Sequence, residues 1–597
     1  MAGILSVLLA PSTATGPTVY DGIIATRGVS PQLHSGTTHG NSRSGHYARS
    51  DITKLKIMCP NYYGSEVAPG ATTSITASVE YPAGVFQQIL FGGSATGTIP
   101  DGGMLLSDYL TLTKTIVNGD MFWIRTFVTN STGLTINVAS SGAYVDQYYM
   151  GDRFEDTATD KTMSGAVSNT EINEIYHPTV IGPLTISSVL VLGDSIALGV
   201  TDLQGLPNSV DLSGDRGAVA RTIGPKFGYF NGGLPSETAT TFVSNHTQRL
   251  SLLPYCTHVI FNYGTNDVFA GDSKATIEGH LTTIYGLCTG KTVFQTTIVP
   301  RTTSTDSWAT ATNQTVLSQE GVRTALNDDL RAGTFKPAGG VFNITAPVET
   351  SLNSGKWTFP GKTTDGIHPD NEGYIDIQTA GVINTSLIGT PAPIVDSGSS
   401  WGDHGTIVSL SAIKRTNDTA TSATGGFSSV RGASGLSSGL KYFELEILGH
   451  QNSGFATGLI DATTASGSGL DGYLGNVDKS FGIASDGSAY NFNSGSIFTT
   501  PSGTSGTIPN LGFDHLSVWR FAVDFTNKFA YLAINNTWFL SANPASGATG
   551  TGNVASWTGT PTLYPGFTFF SGSFSPVRLR TNVFLYPLPS GGYSAWG

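Results

Sequence analysis

The chain has 597 residues, a formal charge of −12 and 12% charged side chains, against roughly 25% in ordinary soluble domains. That length implies two to four domains, and the acidic balance argues against a nucleic-acid polyanion as a general partner. With 75 glycines, 10% aromatic and 39% hydrophobic residues, it suits short strands and tight turns around packed cores rather than a disordered chain. Cys59, Cys256 and Cys288 are too few, and of odd number, for a disulfide framework. The apolar stretch at the start follows no Lys or Arg and ends at Ala10, so no cleaved secretion signal is expected, and no apolar run is long enough to span a bilayer.

Residues 1–45, rich in Gly, Ser, Thr and Pro, read as an extended arm. Residues 46–183 carry short apolar segments with strand chemistry, around Leu55–Met58, Val85–Phe91 and Met121–Val128, separated by turn residues, which predicts a β-sandwich. Residues 184–395 differ. Ser187–Leu192, Cys256–Tyr263 and Lys291–Pro300 are continuous apolar runs with room for helices between them, such as Ala275–Cys288. That alternation predicts a parallel sheet covered on both faces, with ligands at the carboxyl ends of its strands. Residues 396–597 return to β chemistry: Lys441–Leu448 alternates apolar and charged residues, and Arg520–Phe525 and Lys528–Ile534 flank a Thr526–Asn527 turn, as a hairpin does.

The polar motifs of the middle region supply what an ester hydrolase needs. Ser195 follows a buried run and Gly193-Asp194, at a strand-to-helix turn. Asn266 ends the next motif-bearing run, where its amide can donate to a developing negative charge. Asp365 stands three residues before His368, a spacing that lets the carboxylate accept the Nδ1–H while Nε2 takes the Ser195 proton. Asp194 and Asp267 read as loop-stabilising acceptors, and His258 and His280 as surface or core residues. With no HExxH, Cys/His cluster or Lys-containing phosphate loop, no metal or nucleotide cofactor is expected.

On the ordered set Gly193-Asp194-Ser195-Ile196-Ala197-Leu198-Gly199, Gly264-Thr265-Asn266-Asp267 and Asp365-Gly366-Ile367-His368-Pro369, the middle region resembles the SGNH (GDSL) hydrolase family. The resemblance implies a flavodoxin-like three-layer α/β/α fold with Ser195 as nucleophile, His368 as general base and acid, and Asp365 orienting it. The oxyanion hole would take the Ser195 N–H and the Asn266 amide. The family's further donor is a glycine in an Asn-x-x-x-x-Gly motif; here Asn231 leads to Ser236 instead, with Gly233 as the alternative donor.

The last region resembles a SPRY-type, concanavalin-like β-sandwich, on Lys441–Ile447, Ser480–Ile483, Val523–Tyr531, Asn535–Trp538 and Leu563–Gly566. Such domains bind proteins or glycans, and Trp538, Trp557, Tyr473 and Tyr564 are candidate sugar platforms, although core packing is the commoner role for each. Two β-modules around an esterase resemble a phage tail fibre or tailspike. That implies an O-acetyl esterase on bacterial surface polysaccharide, located in the virion tail, with an acetylated glycan as substrate, other virion proteins as partners and a homo-oligomeric assembly, of which a trimer is one form. No membrane insertion is expected. A secreted lipase or acyl esterase and a non-catalytic receptor-binding fibre are the alternatives.

Overall fold

The computed structural model describes residues 21–138, 150–168, 174–202, 214–391, 401–404, 408–411, 419–422, 428–448, 454–464, 474, 479–486, 488–490, 497–500, 517–569, 577–582 and 584–596. The chain is multidomain and strand-rich. Two antiparallel sheets open it. One runs in the order Asp21–Ile23, Thr179–Pro183, Ile52–Pro60, Leu110–Ile116; the other in the order Arg153–Glu155, His39–Tyr47, Met121–Thr129, Thr73–Glu80, Phe86–Ile89. Leu55 and Ile57 from the first meet Ile75, Phe122 and Ile124 from the second, so the apolar faces of the sheets close on one core.

The arm expected over residues 1–45 is corrected from Asp21 onward, residues 1–20 lying outside the described part. Asp21–Ile23 and His39–Tyr47 are sheet strands, and Gly28–Val29 pairs in parallel with the edge of the central sheet. His39–Tyr47 has no apolar alternation because its inward positions are polar and hydrogen-bonded: the His46 ring bonds both the Ser44 hydroxyl and the Thr26 carbonyl.

The central parallel sheet comprises β1 (Ser188–Gly193), β2 (Gly228–Asn231), β3 (His258–Asn262), β4 (Thr292–Thr296) and β5 (Gly340–Phe342), in the order 2-1-3-4-5, with Gly28–Val29 added beside β2. Every residue of β1 is buried, and its alternation serves two layers. Val189 and Val191 pack with Ile196, Ile223 and Tyr374, while Leu190 and Leu192 pack with Phe242, Ile277 and Leu281. The order reverses between β1 and β3, so the loops leaving their carboxyl ends diverge and open a crevice. Ser195 and Asn266 leave from those two strands.

In the final region one sheet contains Ser428–Gly432, Leu563–Phe569, Phe455–Asp461 and Ser480–Ala484, and the other contains Val577–Arg580, Leu440–Ile447, Val518–Asp524 and Phe529–Ile534. Phe443, Trp519 and Phe521 meet Phe455 and Phe567 between them. The hairpin expected at 520–534 is present, turning after Asp524. Among the described residues no helix is long and apolar enough to cross a membrane.

Candidate active site

β1 ends beside β3 in a contact only glycine allows: a Cβ on Gly193 would lie 2.7 Å from the Asn262 carbonyl oxygen and 2.7 Å from the Ala197 methyl. Asp194 then caps the short helix Ser195–Leu198, its Oδ1 accepting the Ile196 N–H at 2.8 Å. Ser195 opens that helix and is 8% exposed. Its own N–H has no acceptor among the described residues.

His368 reaches this serine from a loop far along the chain. Its Nε2 lies 2.7 Å from Ser195 Oγ, and its Nδ1 lies 2.6 Å from Asp365 Oδ2. The other carboxylate oxygen, Oδ1, accepts the backbone N–H groups of Ile367 and His368 at 2.8 and 2.9 Å, so carboxylate and ring are set by one turn. Partial burial would raise the Asp365 carboxyl, but the His368 ring and these two backbone donors hold it down to about 2. Gly366 makes the turn possible. It has φ +74°, a Cβ there would meet the Thr302 carbonyl oxygen at 2.0 Å, and its own carbonyl accepts from Thr302 N–H and Trp357 Nε1. The polar loop 302–312 borders the site at Gly366, over which the Trp308 ring packs.

The residues expected to donate to an oxyanion lie in the loop after β2 and in the helix Thr265–Ala270 after β3. Asn231 ties that loop to the serine helix: its Nδ2 donates to the Ala197 carbonyl at 2.7 Å, and its Oδ1 accepts from Gly233 N–H at 2.9 Å. Gly233 is thereby corrected as an alternative donor, because its N–H is spent inside the loop and its Cα packs on the serine helix. Ser236 keeps an N–H with no acceptor among the described residues and holds φ at +64°, the left-handed region where glycine is at ease and serine is strained. Asn266 stands beside it, one amide N–H donating to the Glu237 carbonyl at 3.0 Å, which leaves its second N–H.

Behind the turn lies a buried ionic cluster for which the sequence carries no motif. Arg249 grips Glu237 with both nitrogens, at 2.7 and 2.8 Å; Tyr263 donates its hydroxyl to Glu237 at 2.6 Å; and Glu66 of the N-terminal sandwich approaches Arg249 Nε at 3.3 Å. Its members come from four separate stretches of chain, so no spacing could announce it.

Asp194 and Asp267 act as acceptors, as expected: Asp267 takes the Ala239 N–H on both oxygens, at 2.9 and 3.1 Å. Burial, with Asp267 and Glu237 nearby, pushes the Asp194 carboxyl up to about 7. His258 is half-buried, and burial lowers its pKa; His280 bonds Thr240 Oγ1. Asp267, Asp272 and His280 place ligand atoms within 4.8 Å of one another, close enough to share a cation, although Asp267 and His280 already have protein partners. Of the candidate sugar platforms, one is corrected. Trp557 is 5% exposed within the C-terminal core. Guanidinium groups lie over the other two rings, Arg520 at 5.1 Å from Trp538 and Arg431 at 4.9 Å from Tyr564. Tyr473 lies outside the described residues.

No family model and no curated protein matches the chain. Among solved structures it is similar to a carbohydrate acetylesterase, Est24, from Sinorhizobium meliloti (19% identity over 34% of this chain and 98% of that one, TM-score 0.24). It is similar also to a GDSL-like lipase from Bacteroides thetaiotaomicron (18% identity, 34% and 87%, TM-score 0.23) and to the SPRY domain of human HERC1 (12% identity, 30% and 97%, TM-score 0.23). Likeness at this level assigns no activity, and the chemistry below rests on the geometry of the site.

Proposed function

We propose that the protein is a serine esterase of the SGNH type, in which Ser195, His368 and Asp365 form the catalytic triad. The observation that carries this reading is the unbroken hydrogen-bonded chain from Ser195 Oγ through both ring nitrogens of His368 to a carboxylate held down to about 2. His368 Nε2 takes the proton as Ser195 Oγ attacks the acyl carbonyl, and Asp365 holds the Nδ1–H and balances the charge on the ring. The oxyanion of the tetrahedral intermediate is received by the N–H groups of Ser195 and Ser236 and by the Asn266 amide. His368 returns the proton to the departing alcohol. Water, activated by the same nitrogen, then releases the acid from the acyl-enzyme.

The acyl group is acetyl and the alcohol a sugar of a bacterial surface polysaccharide, within a phage tail fibre or tailspike that is a homo-oligomer. Supporting a small acyl group, none of the large exposed hydrophobic side chains among the described residues falls in the segments that carry the site, 195–200, 231–238, 264–267 and 363–369. A long acyl chain needs an apolar trough there. The polysaccharide and the virion setting are supported by the flanking β-modules and the Gly-rich, charge-poor composition. Acetate release from O-acetylated polysaccharide, compared between wild type and Ser195→Ala, tests the activity: the variant falls by several orders of magnitude, and equal rates refute the reading.

A further inference from the structure

We propose that Glu66, on the N-terminal sandwich, is a positioning residue for the oxyanion turn at Ser236, acting through Arg249 and Glu237; the inference rests on the esterase reading above. Ser236 stands where the family pattern has glycine and holds φ at +64°, so its N–H stays in place only if the surroundings over-determine the turn. Ser236 itself is exposed and offers no packing to do this. The next residue does. The Glu237 side chain is fully buried, its carboxylate gripped at both oxygens by Arg249, and its carbonyl takes the Asn266 amide at 3.0 Å.

Arg249 is in turn fixed from the far side by Glu66. That carboxylate meets Arg249 Nε at 3.3 Å and accepts the backbone N–H groups of Gln248 and Arg249 at 2.8 and 2.9 Å, so it holds both the guanidinium and the short helix that carries it. The Glu66 and Arg249 side chains are 7% and 0% exposed, which keeps water from substituting for the missing partner. The same sandwich region holds the other end of the loop, Gln32 Nε2 donating to the Gly233 carbonyl at 3.2 Å. A neighbouring domain thus braces a turn that glycine would allow to form without bracing. Loosening Glu66 lets Ser236 relax towards negative φ, which swings its peptide and removes one oxyanion donor.

Glu66→Ala is compared with its parent in two backgrounds, wild type and Ser236→Gly, using p-nitrophenyl acetate. In the wild-type background kcat falls about 10-fold with KM changed less than about 2-fold, as for a donor misplaced part of the time. In the Ser236→Gly background, where positive φ carries no strain, the same change costs less than about 3-fold. Glu66→Gln, which keeps an acceptor for only one of the two helix N–H groups, lies between. A loss of general stability lowers both backgrounds alike, so equal losses, or none in wild type, overturn the inference. Absence of Ser195-dependent turnover in the wild type overturns instead the esterase reading. The bracing is then read by amide hydrogen exchange over residues 232–238, which quickens in Glu66→Ala if Glu66 holds the turn and is unchanged if it does not.

Discussion

Asp194 is fully buried, yet its Oδ2 receives no hydrogen bond, while Oδ1 caps the serine helix. Burial, reinforced by Asp267 and Glu237, raises its carboxyl from the ordinary 3.8 to about 7. The folded state therefore keeps a proton that the unfolded chain gives up. Asp194 contributes fully to stability below its ordinary value, and the contribution is lost as pH rises towards 7. Asp194→Asn keeps an acceptor for Ile196 N–H and has nothing to ionise. It gains on the wild type by on the order of a few kcal/mol between about pH 4 and pH 8, seen as a Tm difference that grows with pH. A pH-independent difference contradicts this. Asp365 behaves oppositely, its stabilising charge being present above its ordinary 3.8 and lost as pH falls through about 2. Asp365→Asn holds the ring in place without the charge and in the wrong tautomer, and kcat drops about 10⁴-fold. An Asn variant as active as wild type contradicts the assignment.

At the scale of elements, the turn carrying Asp365 and His368 is clamped at Gly366 by Thr302, Trp308 and Trp357. The Thr302–Ser304 and Gln314–Val316 hairpin lies against it, with Ser307 and Trp308 both at positive φ and the Trp308 ring over Gly366. Gly366→Ala has no room and the wrong φ, so the turn must shift. Activity falls at least about 100-fold, since misplacement of catalytic groups by about 1 Å costs that much. A variant with near wild-type kcat refutes this account of the clamp. The three motifs were legible because each needs its residue types adjacent: glycine where β1 meets β3, and an acid three residues before a histidine in one turn. The parallel strands were legible because burial on both faces demands continuous apolar runs, as in Val189–Leu192. The strand His39–Tyr47 was not, because its buried side chains, Asn41, Ser42, Ser44 and His46, are polar and satisfied by hydrogen bonds rather than apolar packing. Ser236 was half legible: its position follows from Asn231, but its φ of +64° and the buried Arg249–Glu237 pair beside it are linked to it by no local pattern.

At the scale of the whole molecule, the N-terminal sandwich is the hub. It lends Gly28–Val29 to the parallel sheet and Glu66 to the short helix that carries Arg249, and on another side it meets the C-terminal sheets through buried ion pairs. Arg580 bonds Asp120 at 2.9 Å and Glu446 at 2.8 Å; Arg578 lies 3.2 Å from Glu446; and the Tyr586 hydroxyl donates to the Ala83 carbonyl at 2.6 Å. The Arg580–Asp120 and Tyr586–Ala83 contacts span more than four hundred residues of sequence, which is why segment-by-segment reading separates the domains and misses their union. Arg580→Met leaves Asp120 and Glu446 short of a cation in a buried site and costs about 3–5 kcal/mol. Denaturant unfolding of the intact chain measures it; a loss below about 1 kcal/mol means the pairs do not join the two sandwiches.

The most direct test of the proposed catalytic serine is labelling of the intact protein with a fluorophosphonate, followed by mass spectrometry of the modified peptide. The account predicts one adduct, on Ser195, absent in Ser195→Ala and formed far more slowly in His368→Ala. Equal labelling of Ser195→Ala, or an adduct on a different residue, contradicts it.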